Sequence, residues 1–420
     1  MHYGIVAIGS RGDVQPYVAL ALGLKERGHE ATVMAHENFK EFVEGYGVQF
    51  IALTGNVEAM LQSEEGMRTL KAGNIIAFTR YLQKITSKTS ETIIADIYEA
   101  CKKADVLIAS LLALPWVQGL AEKLGKQWAI VQLNLPTIPT KAFPMAGLDI
   151  LNFPAYNVWT YRFYAFAYHK TSKKLINGFR KSMDLPPLKI SLLKKIADEK
   201  ILNLHCFSPS LLARPNDWSH QNQITGFLFL PTNKQNKIPE DLIHWLNAGD
   251  RPIYIGFGSI PIPNPLLLIS ILTELLETTT HRFIFCQGWS PPIDLPKHPN
   301  LYQLKSISHQ WLFPHCKTAV IHGGVGTTAA VLNAKIPAII VSVIADQPWW
   351  GKIIESKKLG VHIPFKKLTA QKLLAAINKT QSPEIKSNAF GIGKEISRED
   401  GLQKTIEALE DYLVLNKQNQ

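Results

Sequence analysis

The chain has 420 residues, 46% hydrophobic and 19% charged, which excludes a disordered segment and exceeds what one core usually holds, so two domains are expected. Its formal charge of +11 favours an anionic partner: nucleic acid, an acidic membrane surface or a phosphorylated ligand. No uncharged apolar run is long enough to cross a bilayer, and the start of the chain reads as a strand, not a leader. Cys101, Cys206, Cys286 and Cys316 form no CxxC pair, so a reduced, cytoplasmic protein, soluble or peripherally attached to a membrane, is expected.

Short β-rich runs alternate with helical patterns, as in parallel sheets built from strand–helix–strand units. In chain order the predicted strands are Tyr3–Ile8, Ala31–Ala35, Asp105–Ala109, Trp128–Leu133 and Leu202–Phe207. A second series follows at Pro252–Phe257, Arg282–Cys286, Ala319–His322, Ala338–Val341 and Val361–Ile363. The class is therefore α/β. A helix is predicted over Pro16–Arg27, stopped by Gly28, and an amphipathic one over Glu399–Leu415. The polar, proline-bounded stretch PTNKQNKIP from Pro231 marks a linker. The expected organisation is a first domain over 1–231, a linker over 232–240, a second domain over 241–398, and a C-terminal helix and tail over 399–420 that can pack back on the first.

Each series opens with a buried strand followed by Gly-Ser. In the first, GSRGDVQP places Asp13 just beyond the strand, where a carboxylate can accept a proton from an attacking hydroxyl. Gly12 permits close backbone approach, and Ser10 and Arg11 could reach a phosphate. Asp13 could equally cap the helix that follows.

The segment Phe153–Tyr168 is rich in aromatic residues and leads into basic HKTSKK. It reads either as a helix packed on its own domain or as the wall of an aromatic acceptor pocket that includes Trp159, Phe163 and Phe166, with the basic residues towards acidic lipid.

In IHGGVGTTAAVL a strand enters a glycine-rich turn and a helix follows from about Thr327. Backbone amides at such a turn, the helix dipole, His322 and the hydroxyls of Thr327 and Thr328 could stabilise a departing diphosphate without a metal. The turn could also be a simple connection. In ADQPWWG, Asp346 and Gln347 offer acceptors and donors for vicinal sugar hydroxyls, or Asp346 caps a helix with Pro348 in its first turn. The turn is neither a Walker A loop nor a GxGxxG fingerprint, and HExxH and GxSxG are missing, so zinc or serine hydrolysis and nicotinamide dehydrogenation lack their signatures.

Together, GSRGDVQPYVALALGLKERGHEATVMAHENF, INGFRKSMDLPPL, ITGFLFLP and the long run from HQWLFPHC through the DQPWWG segment resemble glycosyltransferase family 1, in the branch of sterol 3-β-glucosyltransferases and glycopeptide and macrolide glycosyltransferases. The resemblance implies the GT-B architecture, two Rossmann-like domains facing a central cleft, and an inverting transfer with no required metal or cofactor. It implies Asp13 as the catalytic carboxylate, and His322, Gly324, Gly326 and Thr327 at the donor phosphates. Asp346 and Gln347 fall at the sugar hydroxyls, Ser259 at the donor, and Ser306 to His309 where the base is held. The expected partners are a nucleotide sugar, UDP-glucose or else a TDP-sugar, and an apolar alcohol such as a sterol, lipid or polyketide, with peripheral contact to an acidic membrane surface and no nucleic acid. A nucleotide-sugar epimerase of the same fold, or a non-catalytic nucleotide-sugar or lipid binder, would share the phosphate site.

Overall fold

The computed structural model describes residues 1–73, 81, 85, 92–133, 136–231 and 238–418. Most of the predicted linker, 232–237, lies outside the described residues. The chain separates into two compact units, one of Met1–Val57, Leu82–Pro231 and Glu399–Gln420, the other of Glu58–Tyr81 and Thr232–Arg398. The sequence reading keeps Glu58–Tyr81 with the first series. In the structure its helices, Val57–Gln62 and Glu64–Ala72, lean on the second unit: Gln62 Nε2 donates to the Trp289 carbonyl at 2.7 Å and Lys366 Nζ to the Ala72 carbonyl at 2.5 Å.

The first unit is built on β1 (His2–Val6), β2 (Glu30–His36), β3 (Gln49–Leu53), β4 (Val106–Ala109), β5 (Gln127–Gln132), β6 (Asn203–His205) and β7 (Asn222–Ile224). They pair in parallel in the order β3-β2-β1-β4-β5-β6-β7. The second unit carries β8 (Ile253–Gly256), β9 (Phe283–Cys286), β10 (Leu301–Leu304), β11 (Thr318–Ile321), β12 (Ala338–Ser342) and β13 (Gly360–Pro364), parallel in the order β10-β9-β8-β11-β12-β13. Both orders contain the Rossmann winding, in which the chain starts mid-sheet, proceeds to one edge, and then crosses to build the other. Each sheet therefore has a switch point, β1/β4 in one and β8/β11 in the other. There the loops leaving the strands diverge and open a crevice.

The central strands are buried along their whole length, which is why their sequences are continuous apolar runs. Val6, Met34, Leu107, Leu120 and Phe179 belong to the core of the first unit, and Ile255, Leu272, Phe285, Val320 and Ile339 to that of the second.

The first helix runs from Arg11 to Glu26, starting five residues earlier than the predicted Pro16, and the last from Gly401 to Gln418. The last helix packs on the first within one unit. A Cβ on Gly23 would press on Ile406 and Leu402. Thr405 Oγ1 donates to Thr225 Oγ1 at 2.7 Å, and Arg27 and His29 reach Glu410 at 3.4 and 3.0 Å. Glu399, at the return into this unit, accepts from Ser208 Oγ at 2.5 Å and Ser210 Oγ at 3.0 Å.

Candidate active-site elements of the two units

In the second unit every predicted donor residue lies beyond the carboxyl end of a strand, in the connecting loop or the first turn of the helix that follows it. The glycine turn follows β11. Gly323 takes φ +91°, and Gly324 is the N-cap of the helix Val325–Asn333, with no side chain to cap it. The amides of Val325, Gly326 and Thr327 therefore receive no cap from the residue before them and lie at the positive end of the helix dipole, the arrangement that receives an anion. Gly326 is exposed and Thr327 half-buried, so both are open to a ligand.

His322 leads into this turn. It is buried, its Nδ1 has no hydrogen-bond partner among the described residues, and burial pushes its pKa down to about 4. It is therefore neutral at pH 7 and offers one N–H and one lone pair. Its ring is held from two sides by glycines. A Cβ on Gly324 would overlap Nε2, and one on Gly258, in the turn after β8, would lie 3.5 Å from Cε1. Half-buried Ser259 follows in that same turn. Gly288, after β9, backs against the Gly258 carbonyl so closely that any side chain would collide with it. Gly323 in turn lies against Gln347, with 3.4 Å between its Cβ position and the Gln347 carbonyl oxygen. The three predicted segments, Gly258–Ser259, His322–Thr327 and Asp346–Gln347, are thus contiguous.

Asp346 occupies the N-cap of the helix Gln347–Ser356, but its carboxylate makes no cap bond. Oδ2 accepts instead from the indole Nε1 of Trp350, one turn on, at 3.0 Å. That indole fixes the carboxylate's orientation and leaves it half-buried rather than sealed. Gln347 is 4% exposed, and its Oε1 accepts from the amides of Val343 at 2.8 Å and Ile344 at 3.0 Å. Its side-chain oxygen thus shapes the turn, so only its amide nitrogen remains for a sugar. Ala345, just before Asp346, is forced to φ +59°, a left-handed conformation that a non-glycine residue adopts only when its surroundings impose it.

Two expectations need correction here. Thr328 is buried, and its hydroxyl donates back to the Gly324 carbonyl at 3.0 Å, the usual i−4 bond of a helical threonine, so it is not aimed at a phosphate. Asp346 is not held as a conventional cap. Beyond β10, Ser306 is exposed, while His309 is tethered through Nε2 to the Tyr254 hydroxyl at 3.1 Å and stacked on Phe313 at 4.5 Å. Tyr254 and Trp350 are the supports that sequence reasoning missed. The Asp346–Trp350 spacing of four residues on one helix was a legible signal.

In the first unit Asp13 stands at the β1/β4 switch point. Its Oδ2 accepts from the Ser10 amide at 2.8 Å and the Ser10 hydroxyl at 3.0 Å, the acidic half of a capping box. Gly9 makes this possible: at φ +143° it leaves empty the position where a Cβ would overlap the Asp13 carboxylate. Ser110, closing β4, receives the Ile8 amide on Oγ at 3.2 Å and so joins the turn to the neighbouring strand.

Asp13 is not an exposed carboxylate of ordinary pKa. It is half-buried, and burial raises its pKa against the opposing Ser10 bonds. Both bonds fall on Oδ2; Oδ1 makes none among the described residues. The capping bonds thus engage one oxygen of the carboxylate and leave the other unengaged. Exposed Gly12 keeps the approach open, whereas Ser10 spends its hydroxyl on Asp13 and the Arg11 guanidinium sits 4.6 Å over the Phe42 ring.

The aromatic residues predicted for the acceptor pocket lie along one helix. The helix Pro154–Ser182 buries Asn157, Thr160, Tyr161, Ile176 and Phe179, while Trp159, Phe163 and Phe166 are 51%, 47% and 60% exposed. They form a surface ladder, with Trp159 stacked on Phe163 at 5.5 Å. The Arg180–Glu122 pair at 2.7 Å pins the far end of this helix to the domain.

Residues 3–134 match the glycosyltransferase family 28 N-terminal domain. Over all of this chain and 67% of its own length, the sterol 3-beta-glucosyltransferase UGT80A2 of Arabidopsis thaliana is 33% identical. Among solved structures, the glycotransferase of kitacinnamycin superposes with a TM-score of 0.70 at 16% identity, covering 98% of each chain. The glycosyltransferase VinC, solved in complex with DTDP, gives 0.68 at 15% identity, covering 98% of this chain and 99% of its own. The fold is that of the GT-B glycosyltransferases, two α/β units each on a parallel sheet.

Proposed function

The chain belongs to the glycosyltransferase family that contains the sterol 3-beta-glucosyltransferases, and from that premise we propose that it moves glucose from UDP-glucose to the hydroxyl of a sterol or similar apolar lipid, with inversion. The observation that carries the reading is the uncapped helix N-terminus at Gly324, packed between His322 and the Asp346–Gln347 turn. On this reading, residues 241–398 hold the nucleotide sugar. The amides of Val325 to Thr327 and the N–H of His322 take the charge that grows on the departing diphosphate, so the step calls for no metal. Asp346 and the Gln347 amide nitrogen hold the sugar hydroxyls, while Ser259, Ser306 and the His309 region border the nucleoside.

The first unit supplies the acceptor and Asp13, whose Oδ1 takes the proton as the acceptor oxygen attacks the anomeric carbon and the bond to the diphosphate breaks. Its raised pKa makes it a stronger base than an exposed aspartate. Sterols and lipid alcohols reside in membranes, so the reading includes peripheral contact with an acidic membrane surface.

The test is incubation with UDP-glucose, and separately with TDP-glucose, together with a detergent-dispersed sterol, read by mass spectrometry. A glucosylated sterol with the β configuration is expected. UDP binding without product from any sterol or lipid alcohol would reduce the protein to a nucleotide-sugar binder, and a changed sugar nucleotide with donor alone would make it an epimerase.

A further inference from the structure

The helix Pro154–Ser182 carries Arg162, Lys170, Lys173, Lys174, Arg180 and Lys181 and not one Asp or Glu. Arg180 is buried against Glu122, but Arg162, Lys170, Lys173 and Lys174 are exposed. The outward residues follow a single stripe at intervals of three and four: Tyr156, Trp159, Phe163, Phe166, Lys170 and then Lys173 and Lys174. The stripe is aromatic over its first turns and cationic beyond, with Lys170 Nζ 5.7 Å over the Phe166 ring where the two meet. The chain leading into the helix adds exposed Ile150, Leu151 and Phe153, of which Ile150 is 85% exposed.

Exposed large apolar side chains grouped in this way on a folded chain mark an interaction site. Its chemistry selects the partner. Tryptophan and phenylalanine favour the boundary between headgroups and acyl chains, while lysines and arginines without a neighbouring carboxylate favour anionic phosphates. The helix cannot cross the bilayer: among the described residues none is long and apolar enough. It can lie in the interface.

We propose that Ile150–Phe153 and the aromatic half of this helix insert into the surface of an anionic bilayer, with Lys170, Lys173 and Lys174 on the lipid phosphates. This rests on the acceptor reading only for its purpose, since a membrane-held enzyme meets a membrane-held alcohol in two dimensions. The surface itself is independent of the donor.

The experiment is co-sedimentation of the full chain with vesicles of phosphatidylcholine alone and of phosphatidylcholine mixed with phosphatidylglycerol. Binding is expected to the mixed vesicles and to weaken as salt screens the lysines. The double variant Trp159→Ser/Phe163→Ser should lose about tenfold or more in vesicle partition, and Lys170→Glu/Lys173→Glu/Lys174→Glu should lose the preference for the anionic lipid. Both alter exposed side chains, and unchanged thermal unfolding checks that they fold. As a second readout, acyl-chain-brominated lipid should quench tryptophan fluorescence in the wild type and less in Trp159→Phe.

A wild-type chain that stays in solution with the anionic vesicles overturns the proposal, as do variants that sediment equally well. So does a lipid-free wild-type dimer that Trp159→Ser/Phe163→Ser dissociates, because a second copy would then own the surface. Transfer by the wild type to a detergent-dispersed sterol is measured separately, so failure of the membrane proposal is told apart from failure of the transferase reading.

Discussion

Replacing Asp13 by asparagine separates its two duties. Ser10 presents its amide at 2.8 Å and its hydroxyl at 3.0 Å to one carboxylate oxygen, and an asparagine carbonyl oxygen can accept both. The capping box is worth about 1 kcal/mol and survives. Burial disfavours the ionised carboxylate, so the neutral amide also sheds a desolvation penalty. Stability should therefore stay within about 1 kcal/mol of wild type. Turnover should not: without a proton acceptor kcat is expected to fall by ~10²–10⁴-fold, roughly 3–5 kcal/mol of barrier. Asp13→Ala should lose both, unfolding more easily as well as failing to turn over.

The assay pairs steady-state transfer at saturating donor with thermal unfolding and UDP calorimetry. The pH profile supplies an independent sign. Only ionised Asp13 accepts a proton and its pKa is raised, so activity should fade as pH drops through that raised value. The acid limb then lies above the range of an exposed aspartate, and the asparagine variant should lack it. An Asp13→Asn variant that folds, binds UDP and transfers at the wild-type rate removes Asp13 from the mechanism.

Two further outcomes are expected. His322→Ala should weaken UDP binding by about tenfold through loss of a buried donor to phosphate, with little change in acceptor KM; calorimetry showing an unchanged Kd would place the phosphate elsewhere. Glu122→Gln leaves the Arg180 guanidinium, 2% exposed, without its charge partner and should cost about 3 kcal/mol in urea unfolding. The hydrogen bond from Arg180 leads in holding Glu122 down to about 2, so this contribution is present above the ordinary glutamate range and is lost as pH falls towards 2. A penalty below about 1 kcal/mol would show the helix Pro154–Ser182 to be held mainly by Phe179 and Ile176.

The central strands could be read from sequence because burial on both faces leaves uninterrupted apolar runs. The strands that escaped, β3, β7 and β10, each form an edge of their sheet. QFIAL, NQI and LYQL are half-wet and carry no such run. A start of the first helix at Pro16 is too late because Pro16 looks like a first-turn proline, while the Ser10–Asp13 spacing already spells the true start. In the second unit the glycine turn and the Asp-Gln pair were legible because local geometry dictates their residue types. Tyr254 beneath His309 was not, because 55 residues separate them and only sheet winding brings them together. The exposure of the aromatic ladder was not legible for a related reason: helical spacing shows that residues share a face, not whether that face is covered.

The return of Gly401–Gln418 to the first unit has a consequence for how the protein is made. Gly23 meets Ile406 and Leu402, and Thr225 meets Thr405, so this unit is completed by a segment translated after the whole of the second. The second unit can fold as an insert while the first waits with an apolar groove uncovered, dependent on contacts of very long sequence separation. Slow maturation and a need for chaperones during synthesis are the expected cost of that order.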